Sequence, residues 1–392
     1  MITLQEAIAI VLESSQQSAK SEVIPLWDGL NRVVSNDIFS DINMPPFEKT
    51  AVDGYACRMQ DVTGVLEVVE VIPAGKVPEK KITTGRCAKI MTGAMVPEGA
   101  DCVLMVEETK EVSSDRIIFT GKYPKPNICR LGEDIKTGDL AIARGTVIGS
   151  QHIAIMASVG CAKPVVAVRP KVAVLTTGDE LVEPEVKPVI GQIRNSNGHQ
   201  LIAQVTRTGA VPLYYGIISD AREITRKSLE KAMNDNDIVI LTGGVSMGDF
   251  DYVPEVMKEL GIEIRFKSIA VQPGKPTTFG TKGDKLIFGL PGNPVSSYLQ
   301  FELLVKPAIL KMMGVTSPAN TLCLPMGKDY NRKKTERLGL VPVAITGYNK
   351  VEPVDFHGSA HIFALAKANG FIMIPIGTAQ LKEGEYVDVR PF

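Results

Sequence analysis

The chain has 392 residues, which is too long for one ordinary hydrophobic core, so we expect two to four domains. Its formal net charge of -1 gives no general attraction to nucleic acid or to anionic lipid. The sequence has neither a run of about eighteen apolar residues nor a secretory signal pattern, and we expect a cytoplasmic protein without a membrane partner. The six cysteines lack CxxC spacing, which is typical of reduced structural thiols.

The amino-terminal segment, 1–42, predicts a helix followed by one or two strands. Thr3 and Glu6 have the spacing of a capping box, and the apolar residues that follow recur on one helical face. A second helix is predicted at 151–159 and is expected to pack against the first. On that expectation, 1–42 and 134–168 form one discontinuous domain, and the segment between them is an insertion.

The inserted segment, 43–133, contains short apolar or alternating runs that are broken by glycine and proline. This pattern predicts a small β-barrel or sandwich. Three polar residues of the amino-terminal half stand at predicted turns or strand edges, namely Asp53, Thr92 and Asp134. Taken alone, each is more typical of turn chemistry than of a functional site.

The third segment, 169–317, alternates strands with helices, which indicates βαβ units and a parallel sheet. The predicted strands are 171–175, 211–218, 237–241 and 285–289. The predicted helices are 198–208, 221–234, 252–260 and 295–313. The fold class is therefore a multidomain combination of α/β and β structure, with this segment as the α/β domain.

The last segment, 318–392, returns to β-strands and predicts a compact, barrel-like β domain with one short helix. Ser359 has the character of a helix N-cap and Gly370 that of the residue after a helix C-terminus. If this domain closes over the edge of the α/β sheet, Ser359 or Arg337 would reach a ligand bound there.

Small, acidic and hydroxyl residues follow each of the four strands predicted in the α/β domain. Because the carboxyl ends of parallel strands share the edge where open α/β sheets bind ligands, we expect one phosphate-handling site there. Lys275 in the loop 272–276 would add a positive charge. The candidate residues in the loops are Glu180, Asp220, Thr242, Gly243, Gly244, Ser246, Pro291, Gly292, Asn293, Pro294 and Ser296.

The loop 242–252 carries the most specific chemistry. Gly243 and Gly244 can adopt positive φ, which lets an anion approach the backbone. Asp249 and Asp251 would repel a bare phosphate, but they suit a hard cation such as Mg²⁺ held between carboxylate and phosphate oxygens. The alternative is an ordinary strand-to-helix turn in which the aspartates cap the next helix.

Seven motifs along the chain together resemble those of the MoeA family of molybdopterin molybdenumtransferases, which is related to the E domain of gephyrin. They occupy 45–56, 91–94, 132–134, 177–180, 242–252, 273–276 and 290–294, in the order seen in that family. The resemblance implies an elongated homodimer of four-domain subunits. It also implies a molybdopterin-binding α/β domain whose site is lined partly by other domains and partly across the dimer.

The reaction implied by this resemblance inserts molybdate into adenylated molybdopterin and releases AMP with the assistance of Mg²⁺. Asp251, with Asp249 and Glu180 near it, would hold Mg²⁺ or orient water at the diphosphate. Asp220 and the glycine loop would contact the adenylated pterin. A molybdopterin adenylyltransferase and acceptor molybdoenzymes would be protein partners.

The resemblance also assigns residues to the oxyanion. Lys275, Ser296 and Ser359 match positions that bind it, and a cation with hydroxyl donors is suitable chemistry for this purpose. The sequence departs from the family pattern at Gln272, where many relatives carry a lysine. The arginine that the family pattern places near Arg337 is also a poor match, because Arg337 lies in the sequence Thr-Glu-Arg-Leu at 335–338. Either departure would alter the affinity for the oxyanion or the preference between different oxyanions.

Asp53, Thr92 and Asp134 match functional positions of the family outside the α/β domain. Two other functions remain open from sequence. A related α/β domain occurs in nucleotide pyrophosphatases, so hydrolysis without metal insertion is one alternative. A scaffold with a peptide-binding groove is the other.

Overall fold

The structure is a computed structural model, and it describes residues 1–244, 253–316, 321–356 and 358–392. Three six-stranded sheets organise these residues, and each sheet has its own buried apolar core. The predicted combination of an α/β domain with two β-rich domains is confirmed. Within the same ranges, no helix is both long enough and apolar enough to cross a membrane.

The chain begins with α1 (Leu4–Ser14), followed by β1 (Ser21–Val23) and β2 (Ile38–Phe39). The predicted capping box at the start of α1 is confirmed. The Thr3 hydroxyl accepts a hydrogen bond from the Glu6 amide at 3.2 Å, and the Thr3 amide donates to the Glu6 carboxylate at 2.7 Å. These bonds satisfy two backbone donors that would otherwise be unpaired at the helix start.

The next eight strands are β3 (Lys49–Thr50), β4 (Gly54–Cys57), β5 (Leu66–Ile72), β6 (Arg86–Ile90), β7 (Cys102–Met105), β8 (Thr109–Ser113), β9 (Arg116–Phe119) and β10 (Ile128–Cys129). Six of them form one sheet in the order β7-β4-β6-β5-β9-β8, where the sequence predicted a barrel or sandwich. Both faces of this sheet are covered, with Leu104 buried on one face and Val103 on the other.

The chain then returns through β11 (Leu140–Ile142), α2 (Ser150–Ser158) and β12 (Val165–Ala167). β11 pairs with β2 and β12 pairs with β1, so the segments on either side of the six-stranded sheet are joined. The predicted packing of the second helix against the first is wrong, because α1 buries Val11 with Ile309 while α2 buries Met156 in a separate core. The domain boundaries given above stay a prediction.

The α/β domain contains β13 (Lys171–Thr177), β14 (Leu181–Val182), β15 (Ile193–Arg194), α3 (Ser196–Thr208), β16 (Val211–Ile218), α4 (Arg222–Asp235), β17 (Ile238–Thr242), α5 (Val253–Glu259), β18 (Glu263–Phe266), β19 (Val271–Gln272), β20 (Thr278–Lys282), β21 (Lys285–Leu290), α6 (Pro294–Gln300) and α7 (Lys306–Met312). A π-helical turn, Phe301–Val305, joins α6 to α7.

The sheet order is β16-β13-β17-β21-β20-β18. The four predicted strands are its parallel part, as the sequence indicated, and β20 and β18 extend it in antiparallel fashion. β13 and β17 lie in the centre and are buried on both faces, which explains their continuous apolar sequences.

The carboxyl-terminal strands are β22 (Leu322–Pro325), β23 (Tyr330–Asn331), β24 (Leu338–Ile345), β25 (Val351–Pro353), β26 (Gly370–Ile374), β27 (Gln380–Leu381) and β28 (Tyr386–Pro391). Their main sheet has the order β19-β24-β26-β28-β22, so one of its strands comes from the α/β segment. Val271 of β19 pairs with Leu338 of β24. This pairing places the loop 272–276 beside the carboxyl-terminal domain.

The helix predicted between Ser359 and Gly370 is wrong in extent. Only a 3₁₀ turn forms, at Ile362–Ala366, and its N-cap is His361. Gly370 begins β26 and pairs with Val343. A Cβ added at Gly370 would lie 2.9 Å from a carbonyl oxygen of the neighbouring strand, so the glycine permits close strand approach and does not end a helix.

Candidate functional site

The loops that follow the four parallel strands meet at one edge of the α/β sheet, around a cavity of about 920 Å³. We call it the rim cavity. It is lined by residues of 176–178, 180–181, 193–197, 242–244 and 291–294, by Asp220 and Pro276, and by 360 and 362–363 of the carboxyl-terminal domain. The predicted convergence of these loops is therefore observed.

Nine of the candidate residues line the rim cavity: Glu180, Asp220, Thr242, Gly243, Gly244, Pro291, Gly292, Asn293 and Pro294. Ser246, Asp249 and Asp251 lie outside the described residues. The rim thus brings together the phosphate-type loops and two of the predicted acids.

Asn197, which the sequence interpretation missed, holds two of the loops together. Its side-chain amide donates to Thr242 Oγ1 at 3.0 Å and to the Gly292 carbonyl at 2.8 Å, and Thr242 Oγ1 donates to the Pro291 carbonyl at 3.0 Å. The available signal was the pair of asparagines at the start of α3, where Asn195 is the N-cap. Asn195 alone caps the helix, so the presence of Asn197 two residues later indicates a role other than capping.

Gly243 has a φ of +94°, and a Cβ there would overlap the carbonyl oxygen of Thr177. The glycine is therefore required by the packing of two loops as well as by its backbone conformation. The resulting turn exposes backbone in the cavity wall, as an anion site needs.

Two carboxylates, Glu180 and Asp220, line the rim cavity together with one cation, Arg194. Burial raises the pKa of Asp220, and the charges of Asp179 and Glu180 raise it further. The Asp220 amide donates to Asp179 Oδ1 at 3.2 Å, which holds the two loops together. Crowded carboxylates of this kind suit a hard cation, although the described residues alone contain no complete group of three metal-binding side chains.

A second cavity of about 560 Å³ lies beside the first, and we call it the basic cavity. Its basic lining residues are Lys275, Arg332, Lys333, Lys334 and Arg337, and no aspartate or glutamate of the described chain lines it. Gln272, Ser296 and Ser359 also line it. Lys275 shares this cavity with Pro291, Asn293 and Ser296 of the loop and helix that follow β21, and the β19–β24 pairing places its own loop beside the carboxyl-terminal domain.

The cations of the basic cavity differ in how tightly they are held. Arg332 donates three hydrogen bonds to backbone carbonyls at 2.7–3.0 Å, and burial lowers its pKa. Arg337 donates to the Val271 carbonyl at 3.1 Å. Lys275 is exposed and has no carboxylate within ion-pair distance among the described residues. Its charge is therefore available to a ligand.

The two cavities share a wall made by Pro276, Pro291 and Asn293, each of which lines both. Asn293 Nδ2 donates to Ser359 Oγ at 2.8 Å, so this bond links the α/β domain to the carboxyl-terminal domain. Ser359 is therefore a partner of Asn293 at the wall and is not the N-cap that the sequence suggested.

Asp53, Thr92 and Asp134 line neither of these cavities. Asp53 accepts hydrogen bonds from the Thr92 amide at 2.6 Å and hydroxyl at 2.8 Å, and these bonds lower the pKa of Asp53. Asp134 lines a separate open cavity with Lys49 and Glu133. Within a single copy of the chain, the amino-terminal candidates are thus separate from the rim.

Comparisons with known proteins cover nearly the whole chain. Family models match in order: "MoeA N-terminal region (domain I and II)" at 2–160, "probable molybdopterin binding domain" at 173–311 and "MoeA C-terminal region (domain IV)" at 325–392. The chain is 38% identical to a molybdopterin molybdenumtransferase of Staphylococcus epidermidis, over 99% of this chain and 95% of that protein. It is 34% identical to a molybdopterin molybdenumtransferase of Bacillus subtilis, over 99% and 93%.

Among solved structures, the chain is similar to the molybdopterin biosynthesis moeA protein from Pyrococcus horikoshii OT3. The superposition covers 100% of both chains, with a TM-score of 0.86 and 29% sequence identity. The similarity therefore extends beyond the α/β domain to the β-rich domains on either side of it.

Proposed function

The chain belongs to the MoeA family of molybdopterin molybdenumtransferases and acts in molybdenum-cofactor biosynthesis, and we propose that its two cavities hold the two substrates. In this proposal the rim cavity binds adenylated molybdopterin and the basic cavity binds molybdate. The metal passes to the pterin and AMP is released. The observation that carries the proposal is that the carboxylates line only the rim cavity, whereas five basic residues line the adjacent basic cavity across a shared wall.

The composition of the rim cavity supports an adenylated, phosphate-containing ligand. Its volume of about 920 Å³ lies within the range of cavities that enclose large organic ligands. The start of the thirteen-residue helix α3 lines it, with Ser196 and Asn197, and a helix N-terminus favours phosphate. The Gly243 turn adds backbone that a phosphate can approach.

The acids of the rim fit Mg²⁺. Burial first, and then the charges of Asp179 and Glu180, raise the pKa of Asp220, and a divalent cation would offset both effects on its charged form. We assign Glu180 as one ligand, with Asp249 and Asp251 as further ligands. Bound there, Mg²⁺ would neutralise the diphosphate and so make AMP a better leaving group. Asp220 and Thr242 would orient the ligand on the opposite loops.

The basic cavity supports binding of a tetrahedral dianion. Lys275 supplies a cation without a described carboxylate partner, and Ser296 and Ser359 supply hydroxyl groups beside it. Hydrogen bonds from charged donors to oxyanions are stronger than neutral ones, so Lys275 is expected to contribute more than either hydroxyl group. Asn293 stands between this cavity and the rim, where the two substrates would meet.

The test is to supply adenylated molybdopterin with molybdate and to measure AMP and metal-loaded cofactor. Lys275→Ala should raise the molybdate concentration needed for half-maximal turnover about tenfold, because it removes one charge-assisted contact. Lys282→Ala, at an exposed strand end of the same domain, is the matched control. Asp251→Asn should slow AMP release while the fold is kept. AMP release at a rate that does not depend on molybdate would instead indicate a pyrophosphatase.

We propose that the protein is a homodimer that receives its substrate from a molybdopterin adenylyltransferase and passes its product to acceptor molybdoenzymes. Exposed apolar side chains in the amino-terminal region support self-association, among them Trp27, Leu30 and Phe39. In a dimer, Asp53, Thr92 and Asp134 would be able to complete the site of the partner. Light scattering of the purified protein measures its mass and tests the dimer.

A further inference from the structure

One large aromatic side chain stands open in the rim cavity. Phe363 lines this cavity, and 79% of its surface is exposed. Phenylalanine is among the residues most often buried, and what distinguishes this exposed ring is its place in the wall of a ligand-sized cavity. Within the described part of the chain, it is also the only aromatic residue of the cavity lining.

The backbone that carries Phe363 is fixed on both sides. The ring projects from the 3₁₀ turn Ile362–Ala366, in which Ala364 is 3% exposed and Leu365 packs against the main core. The Ala364 amide donates to the His361 carbonyl at 3.2 Å. The backbone that presents the ring is thus held in place before a ligand arrives, which reduces the entropy lost on binding.

Further apolar surface borders the cavity on the α/β domain. Ile193 lines it and is 56% exposed, and Leu181 on the neighbouring short strand also lines it. The rim cavity therefore combines apolar side chains with the acids and glycine turns of the sheet edge. A ligand that matches both is flat and apolar on its faces at one end and phosphorylated at the other.

We propose that Phe363 is a stacking platform for a planar heteroaromatic ring of the substrate. The proposal rests on the proposed function, in which the rim cavity takes adenylated molybdopterin. That molecule has two such rings, adenine and pterin, and either presents a π-face to a phenyl side chain. Ile193 and Leu181 cover apolar surface near the stacked ring, and the diphosphate reaches the glycine turn.

The experiment measures binding of AMP and, separately and without oxygen, of metal-free molybdopterin to the full-length chain by calorimetry. Phe363→Ala should weaken binding of one of them about tenfold, because stacking of a base on an aromatic side chain is lost. Weaker AMP binding assigns Phe363 to adenine, and weaker molybdopterin binding with unchanged AMP binding assigns it to pterin. Unchanged binding of both overturns the proposal.

Three further variants separate stacking from general apolar contact. Phe363→Tyr keeps the aromatic face and should bind like the unaltered chain, whereas Phe363→Leu keeps an apolar side chain without that face and should bind more weakly. Equal binding by the leucine variant overturns stacking. Tyr348→Ala, at an aromatic residue that is 90% exposed in the same domain and lines neither cavity, is the matched control and should bind normally. If the unaltered chain binds neither ligand, the proposed function itself fails.

Discussion

Gln272 is the position at which a single added charge tests the role of the basic cavity most directly. It lines that cavity three residues before Lys275, and its Oε1 atom is buried without a hydrogen-bond partner among the described residues. Gln272→Lys would place an ammonium group in a cavity that no described carboxylate lines. If the cavity holds molybdate, the added charge should strengthen binding.

The expected gain follows from Coulomb's law. A unit charge about 5 Å from a dianion is worth about 2 kcal/mol in water, and physiological salt roughly halves this. The remaining attraction of about 1 kcal/mol corresponds to an approximately fivefold lower Kd. In the absence of molybdate, the new ammonium group is repelled by Lys275, so the unliganded variant should also unfold at a lower temperature.

Calorimetric titration of molybdate at low and high ionic strength measures the effect. The gain should be largest at low salt and should shrink as salt is added. Gln272→Met, a neutral change of similar size, controls for removal of the unpartnered Oε1 atom. An affinity that Gln272→Lys leaves unchanged at low salt, or a gain that Gln272→Met reproduces, would refute the electrostatic role of the cavity.

Three further predictions concern the supporting structure. Gly54→Ala should destabilise the inserted sheet by about 3 kcal/mol in chemical denaturation, because a Cβ there overlaps a carbonyl of the neighbouring strand, whereas Gly347→Ala, which has open space, should be neutral. Glu302→Gln should cost about 2 kcal/mol in the same assay, since this buried carboxylate holds an arginine and a lysine at once, and an unchanged midpoint would contradict that role. Thr92→Val should raise the pKa of Asp53 only part of the way to its ordinary value, because the larger contribution, the backbone hydrogen bond, is retained. The stabilisation from this contact is present above the ordinary pKa and is lost as pH falls through the folded-state value, which NMR titration of the carboxyl group measures.

The parallel sheet was predictable from sequence because its central strands are buried on both faces. β17 and β13 contain the continuous apolar runs 238–241 and 172–175, and a parallel sheet covered on both faces buries such runs completely. Once these strands were assigned, the convergence of their loops followed from topology. β18 was missed because its four residues, Glu263–Phe266, alternate polar with apolar and give no such run.

The division of the candidate residues between two cavities was not predictable. It depends on β19, a strand of two residues, which leaves the α/β sheet and pairs with β24. A strand of two residues has no recognisable sequence pattern, and its pairing is a tertiary contact that local sequence does not predict. The misassigned helix after Ser359 has a similar cause, since tertiary pairing of Gly370 with Val343 overrides the local signal for a helix end.

The arrangement of charge explains why a chain with a net charge of only -1 can hold an anion and a cation side by side. If Lys275 faced Glu180 or Asp220 within one cavity, they would form ion pairs, and neither charge would remain for a ligand. Instead, the neutral side chains of Pro276 and Asn293 stand between the cations of the basic cavity and the acids of the rim cavity. Each cavity therefore keeps a net charge of one sign, since the rim cavity has two carboxylates and the single cation Arg194. The proposed binding of molybdate beside a magnesium-bound diphosphate requires this condition.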